Sequence, residues 1–141
     1  MSKSIKLKNN IFIDTTSISH KRERLDLVIE NLKPTILFEG THDTSKKYVD
    51  LLDDVSNYKY IEVYIGLYRI QYTKMVITGN EGLSTVVDTT WADTLYIRYT
   101  QLKAKDKKIL IESDRVNWMY NGGAVGQRDA NSQIKKVVGY R

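Results

Sequence analysis

A stretch of alternating apolar and polar residues at positions 58–78 constrains the fold of this chain more than any other segment. In its first half, Ile61, Val63 and Ile65 alternate with tyrosine and glutamate. Neighbouring side chains of a β-strand face opposite sides, so this period of two predicts a half-buried strand. After Gly66 a second run, residues 67–77, is rich in β-branched and aromatic residues. The two runs predict the centre of an antiparallel sheet.

The chain beyond Pro34 is predicted to be strand throughout. Further strands are expected at 36–38, 48–51, 83–87, 94–102, 108–119 and 133–140, separated by turns rich in Gly, Asn and Asp. Loops are expected at 88–93 and at 121–131. Short strands without intervening helices are typical of a sandwich or a barrel. The predicted fold class is therefore mostly β, an antiparallel β-sandwich spanning residues 35–141.

Residues 1–34 are predicted to form a separate N-terminal region, which consists of an extended arm followed by one short helix. Residues 1–14 contain two short runs of strand character around an Asn-Asn turn. Ser17 or Ser19 offers a cap for a helix at residues 20–32, and Pro34 ends it. One face of the helix carries apolar residues at helical spacing, namely Ile18, Leu25, Val28, Ile29 and Leu32.

A helix of this length is marginal in water by itself, so its apolar stripe must be buried against something. One interpretation is packing on the sheet of the same chain. The other is association with further copies of the chain around an axis, through Ile18, Leu25, Val28 and Leu32. The spacing of the residues leaves both open.

The composition argues against several kinds of chemistry. The chain has no Cys and only two His, so neither a thiolate nor a metal site is expected, and no cofactor is predicted. Asp50, Asp53 and Asp54 are interpreted as a solvated turn, since three acids on one turn do not form the opposed pair that glycoside hydrolysis needs. His42 and Asp43 lie near Ser45, but no nucleophile-elbow motif accompanies them. The chain is therefore not expected to be an enzyme.

Charge and hydropathy bear on partners and location. Residues 94–141 carry ten Lys and Arg against four acids, which fits either an anionic partner or a solvated face. No nucleic-acid-binding motif accompanies these charges, so no nucleic acid is expected. No apolar run approaches the ~20 residues that span a bilayer, so no membrane insertion is expected. Residues 2–10 lack the apolar segment of a signal peptide, which indicates synthesis in the cytoplasm.

Aromatic residues give the most direct indication of binding. The chain has ten Tyr and two Trp against two Phe. Such side chains present an apolar face and a polar edge, which suits the C–H faces and hydroxyl edges of saccharides. Trp91, together with Asp88 and Asp93, is the first candidate for a ligand-binding site, and Tyr120 beside Trp118 is the second. The tyrosines of the first central strand are an alternative binding surface, for another subunit.

Three segments together resemble tail-fibre and baseplate proteins of phages that infect Gram-positive bacteria. The opening IKLKNNIFIDTTSISHKRERLDLVIENL, at 5–32, is similar to the segment that precedes a small β domain in those proteins. LFEG at 37–40 and VSNYKYIEVYIG at 55–66 resemble the start of that domain, and IKKVVGYR at 134–141 resembles its last strand.

The resemblance implies a virion component at the distal tail, made in the host cytoplasm. It implies a jelly-roll-like sandwich, a homotrimer that contacts other phage tail proteins, and attachment to a host cell-surface saccharide without catalysis. An alternative is a purely structural tail or baseplate subunit. No loop motif carries the family's ligand-contacting residues onto this sequence.

Overall fold

The computed structural model describes residues 4–6, 12–66, 69–91, 94–120, 122–123 and 125–141. The chain divides into two compact units, residues 1–33 and 34–141. The first unit contains β1 (Ser4–Lys6), β2 (Phe12–Asp14) and α1 (Thr15–Leu32). The second contains β3 (Thr35–Asp43), β4 (Tyr48–Asp50), a 3₁₀ helix (Val55–Asn57), β5 (Tyr60–Gly66), β6 (Gln71–Val76), β7 (Glu81–Trp91), β8 (Thr94–Lys105), β9 (Lys108–Tyr120), β10 (Val125–Asp129) and β11 (Gln133–Tyr140).

In the first unit the chain forms a hairpin and then enters the helix directly. β1 pairs antiparallel with β2, with Ser4 opposite Asp14. The predicted helix exists, but it begins at Thr15. Ser17 and Ser19 therefore lie inside α1, and the prediction that one of them caps it is wrong. Ser and Thr fill several adjacent positions here, and each type favours a cap, so sequence preference did not single out the start.

The first sheet of the second unit has the strand order β3-β11-β5-β6, with every neighbour antiparallel. The predicted central pair is confirmed as β5 and β6. Ile61, Val63 and Ile65 are all buried, and residues between them are half-buried. The last strand of the chain, β11, lies between β3 and β5, so it occupies an interior position in this sheet.

The second sheet has the order β10-β9-β8-β7, and β4 pairs with the opposite end of β9. Here two predictions are wrong. Residues 88–91 belong to β7, and residues 125–129 form β10, although both segments were expected to be loops. Each segment pairs along a long neighbouring strand. Those ladder hydrogen bonds outweigh the turn preference of Asp and Gly, because strand preference depends strongly on context.

The core lies between the two sheets and is apolar, which confirms the predicted antiparallel β-sandwich. Its fully buried side chains come from both sheets: Leu37, Ile61, Val63, Ile65, Met75, Ile134 and Val137 from the first, and Leu102, Ala104 and Ile109 from the second. In β5 and in the second half of β8 these residues alternate with residues that face away from the core. We call the side of each sheet that faces away from the core its outer face.

One carboxylate ties the two sheets together at the edge of this core. Asp114, on β9, accepts hydrogen bonds from the hydroxyls of Thr44 (2.5 Å), Thr100 (2.7 Å) and Ser132 (3.0 Å). It also accepts one from the backbone N–H of Ser132 at 2.8 Å. Thr44, Thr100 and Ser132 are all buried, so Asp114 satisfies buried donors, and the Thr44 hydroxyl has a second acceptor in the carbonyl of Ser132 at 2.9 Å.

Candidate functional site

Trp91, the first candidate of the sequence, lies at the end of β7 and faces outward. Its side chain is 70% exposed, and it stands opposite Leu95 of β8. Asp88 is three positions earlier in the same strand. Because side chains alternate along a strand, Asp88 and Trp91 lie on opposite faces of the sheet. Sequence proximity alone had suggested one site for both residues.

The other predicted ligand-binding residues also lie apart from Trp91. Asp88 faces the core side, where its carboxylate lies 3.6 Å from the guanidinium of Arg98. Tyr120 stands opposite Thr94, on that same side of the sheet. Asp93 lies outside the described residues. The structure therefore does not bring Trp91 together with Asp88 and Tyr120, and the binding role of each stays a prediction.

Trp91 belongs instead to a row of apolar side chains that crosses the outer face of the second sheet. The register places Trp91 opposite Leu95, Leu95 opposite Met119, and Met119 opposite Val125. Such directly opposed side chains are in contact distance on one face of antiparallel strands. We call Trp91, Leu95, Met119 and Val125 the apolar row. Trp91, Met119 and Val125 are each more than half exposed.

A shallow cleft of about 440 Å³ lies along this row. Its apolar lining comes from Leu95, Met119 and Val125, together with Ile97 of the next row. Its polar lining comes from Asn117 and Gln127, which stand opposite each other on β9 and β10. The floor of the cleft is therefore mostly apolar, and the amide groups of Asn117 and Gln127 lie along one side of it.

The outer face of the first sheet carries a different surface, rich in tyrosine. Tyr60 and Tyr140 are paired across β5 and β11, with their rings stacked at 4.6 Å between centroids. Tyr64 and Tyr72 are paired across β5 and β6, with centroids 5.7 Å apart. We call these four residues, with Glu62 and Lys74 between them, the tyrosine face.

Glu62 and Lys74 lie opposite each other at the centre of the tyrosine face. One carboxylate oxygen of Glu62 accepts hydrogen bonds from the hydroxyls of Tyr140 (2.9 Å) and Tyr64 (3.1 Å). The ammonium of Lys74 lies 3.6 Å from the centre of the Tyr60 ring, which is a cation–π contact. The carboxylate of Glu62 thus holds the hydroxyls of Tyr140 and Tyr64, and the ammonium of Lys74 holds the ring of Tyr60.

The electrostatics of this face keep the phenols protonated. The hydrogen bond to Glu62, reinforced by burial, raises the pKa of Tyr140 to about 12. The hydrogen bond to Glu62 also raises the pKa of Tyr64. A phenol beside a carboxylate resists losing its proton, because the product would be a second negative charge. Tyr64 and Tyr140 therefore act as neutral donors, and both of these hydrogen bonds go to one oxygen of Glu62.

The tyrosine face was only partly visible in the sequence. Alternation grouped Tyr58, Tyr60 and Tyr64 on one side of the first central strand. The structure confirms Tyr60 and Tyr64, but it buries Tyr58 against Gly139, outside β5. Tyr72 and Tyr140 come from other strands, so only the strand order and register could add them.

The predicted helix stripe is exposed in the single chain. Leu25, Val28, Ile29 and Leu32 are 48–66% exposed. Ile18 also lies in α1, but its side chain is not among those described. These residues form an apolar surface on the first unit that is available to a partner.

The acidic residues weighed as catalytic candidates have local structural roles. Asp54 accepts hydrogen bonds from the backbone N–H and the hydroxyl of Ser56, at 2.9 and 2.7 Å, and so caps the 3₁₀ helix. Asp53 accepts from the Tyr58 hydroxyl at 2.9 Å and from the N–H of Asp54 at 2.8 Å. Hydrogen bonds of this kind hold the pKa of both carboxyl groups below the usual value. Both act as acceptors in a turn.

The His42, Asp43 and Ser45 cluster likewise forms a turn. Asp43 accepts a hydrogen bond of 2.8 Å from the backbone N–H of Ser45, which lowers the pKa of its carboxyl group. His42 contacts the carbonyl of Lys46 at 3.3 Å. Across the described residues, no group of three or more His, Cys, Asp or Glu side chains is placed to hold a metal ion. No helix in the same part of the chain has the length and apolar character of a membrane span.

The comparisons with known proteins return no match, either to a family model or to a curated protein sequence. The function therefore has to be argued from the surfaces described above.

Proposed function

We propose that this protein is a non-catalytic attachment protein of a phage tail, which binds a cell-surface saccharide of the host through the tyrosine face. The observation that carries the proposal is the arrangement of two ring pairs around one carboxylate and one ammonium. Aromatic rings supply platforms for the C–H faces of sugar rings. Glu62 and Lys74 supply an acceptor and a donor for hydroxyl groups between those platforms.

The geometry suits an extended saccharide rather than a small buried ligand. The two ring pairs lie in rows on either side of Glu62, with Tyr72 as the most open ring at 63% exposure. Each row is two residues along β5 from Glu62, roughly 7 Å, so the two ring pairs are roughly 13 Å apart. A chain of sugar units can therefore contact both ring pairs while its hydroxyl groups reach Glu62.

The resemblance to phage tail proteins supports the setting of the proposal. In that setting the protein is made in the host cytoplasm, assembles as a homotrimer with other tail proteins, and lies at the distal tail of the virion. The exposed stripe of Leu25, Val28 and Leu32 supports the trimer, because an apolar helix stripe of this kind is stable when several copies share it. The proposal involves no cofactor, nucleic acid or membrane insertion.

The proposal is tested by binding of the full-length protein to a glycan array and to purified cell-wall polymers. Tyr72→Ala should weaken binding about tenfold or more, as expected for an exposed aromatic anchor. Tyr48→Ala is the matched control, because Tyr48 is an exposed strand tyrosine on β4 of the other sheet. Trp91→Ala, measured in parallel, tests the site that the sequence suggested.

The outcomes distinguish the tyrosine face from the surface around Trp91 as the saccharide site. Loss of binding with Tyr72→Ala and not with Trp91→Ala supports the tyrosine face. Loss with Trp91→Ala alone would move the saccharide site to the second sheet. A correctly assembled protein that binds no saccharide would instead support the second candidate, a structural tail subunit.

The apolar row favours the second candidate function, a structural tail subunit, and it lies on a different sheet from the tyrosine face. Trp91, Leu95, Met119 and Val125 form an exposed apolar strip, and such strips are typical of protein interfaces. The two surfaces are on different sheets, so attachment and assembly can coexist in one protein.

A further inference from the structure

The apolar row is one end of a larger apolar surface on the outer face of the second sheet. The sheet pairing and alternation place Leu83 and Val87 of β7 and Ile97 of β8 on the same face as the row. We call the whole set the second-sheet face; it comprises Leu83, Val87, Trp91, Leu95, Ile97, Met119 and Val125. Six of these side chains are exposed, and Leu95 is half-buried.

The area of this face matches what a protein interface needs. A covered tryptophan buries roughly 150–250 Å², so Trp91 by itself offers on the order of 150 Å². With the six aliphatic side chains the face reaches on the order of 500 Å² of apolar surface, at the upper end of what a monomer exposes. A stable interface buries about 800 Å² per partner, rim included, so this face can supply the apolar centre of such a contact and its polar surroundings the rim.

Five charged side chains of the second sheet form ion pairs within the chain, with a net charge of +1 among them. Glu81 pairs with Lys103 at 2.9 Å and with Lys105 at 3.0 Å. Arg115 pairs with Asp129 at 3.0 Å. Two identical faces can therefore meet with only a small excess of like charge at the contact. A face that served a strongly charged partner would instead carry cations or anions without such pairs.

The shape of the face suits a second sheet of the same kind. Sheets pack face to face about 10 Å apart, with strands within roughly 30° of each other. A twofold axis along the strands, between β8 and β9, lays β7 of one copy over β10 of the other. Trp91 then lies over Val125, and Leu95 over Met119, so the largest side chain meets a small one. Along the apolar row the face is thus complementary to itself under the symmetry that commonly joins two identical subunits.

We propose that a second copy of this chain docks on the second-sheet face, sheet against sheet. This contact is separate from the helix-mediated trimer of the proposed function and does not depend on saccharide binding. A twofold axis and a threefold axis that meet at a right angle together generate a hexamer, which is the smallest assembly with both contacts. Removing the sheet contact should leave a trimer, and removing the helix contact should leave a dimer.

The experiment is analytical ultracentrifugation of the full-length protein across a micromolar concentration series. Met119→Asp with Val125→Asp should halve the assembled mass and weaken the sheet contact about a hundredfold, because it places two charges in the apolar row that the contact buries. Val76→Asp is the matched control, since Val76 is an exposed strand valine at the edge of the first sheet. It should leave the mass unchanged.

A second measurement follows the interface directly and needs no charged variant. The chain has two tryptophans, so Trp118→Phe leaves Trp91 as the single fluorophore. As the concentration rises through assembly, emission from Trp91 should shift to shorter wavelength and become less accessible to acrylamide. Leu25→Lys with Leu32→Lys in the same background should leave this change intact, because it removes only the helix contact.

Three outcomes would overturn the proposal. The first is an assembled mass that the Met119 and Val125 substitutions do not change. The second is a Trp91 that stays open to acrylamide at every concentration. The third is a Trp91 that becomes protected only when another tail protein is added, which would assign the second-sheet face to a different partner. Failure of saccharide binding would affect none of these readouts.

Discussion

Tyr140 donates a hydrogen bond of 2.9 Å to Glu62 across 78 positions of sequence, and Tyr64 bonds to the same carboxylate oxygen. This contact raises the pKa of Tyr140 from the ordinary 10.0 to about 12. A group with a raised folded-state pKa holds its proton in the folded state after the unfolded chain has lost it. Its contribution to stability is therefore complete below about pH 10 and is lost as the pH rises through about 12.

The first prediction concerns this alkaline range. The free energy of unfolding should fall between pH 10 and 12, and Tyr140→Phe should make that fall less steep, because one of the linked protons is gone. Urea unfolding at a series of pH values measures the slope. Glu62→Gln is the companion variant, and it should lower the pKa of Tyr140 towards 10 in a titration followed by tyrosinate absorbance. An unchanged slope in both variants would contradict the linkage.

The second prediction concerns the carboxylate that joins the two sheets. Asp114→Ala should lower the free energy of unfolding by about 3 kcal/mol, because it leaves the hydroxyls of Thr100 and Ser132 and the backbone N–H of Ser132 without their acceptor. Chemical denaturation measures this loss. Asp129→Ala is the matched control on the neighbouring strand. It removes an exposed ion pair with Arg115 and should cost about 1 kcal/mol or less.

The third prediction concerns Gly139, an interior position of the first sheet. A Cβ placed there would lie 2.4 Å from the ring of the buried Tyr58. Gly139→Ala should therefore destabilise the protein by about 1–3 kcal/mol through overpacking. The loss should shrink in a Tyr58→Leu background, where the ring is absent. A double-mutant cycle of the four proteins measures this coupling. Additive effects would show that the two residues do not interact.

The fourth prediction concerns α1. Its apolar stripe is exposed in the single chain, so the helix should gain stability from association. Leu25→Lys with Leu32→Lys should reduce helical circular dichroism at 222 nm and make it independent of concentration. Unfolding of the sandwich should keep its midpoint, since the substitutions lie in the other unit. A helical signal that is the same in both proteins at every concentration would contradict the prediction.

Local sequence pattern anticipated the elements that alternate most regularly. The β5–β6 pair, the long β8–β9 hairpin and the last strand were predicted from residues near each other in the chain, and all three are present. The errors fall where turn-forming residues lie inside strands. Asp88 and Gly126 belong to types that favour turns, yet both are paired across the second sheet. Asp88 pairs with Arg98 and Gly126 with Trp118, each across a hairpin, and the preference of a single residue type does not include such pairing.

The candidate sites depend even more on pairing between strands, which the sequence pattern does not show. Sequence proximity joined Trp91 to Asp88, whereas the pleat of β7 separates them onto opposite faces. Sequence distance kept Tyr140 apart from Tyr60, whereas the pairing of β11 with β5 stacks their rings. A binding surface on a sheet is formed by side chains from several neighbouring strands. The residues of one strand contribute only a part of that surface.

The sequence by itself determined the fold class: apolar residues at every second position, in short strands without intervening helices, indicate antiparallel sheet packed around one core. Only the tertiary structure decided which residues become neighbours on the outer faces. Strand order and register are fixed by hydrogen bonds and packing between distant segments. Those distant contacts set Tyr72 and Tyr140 beside Glu62, and they line up Trp91 with Met119 and Val125.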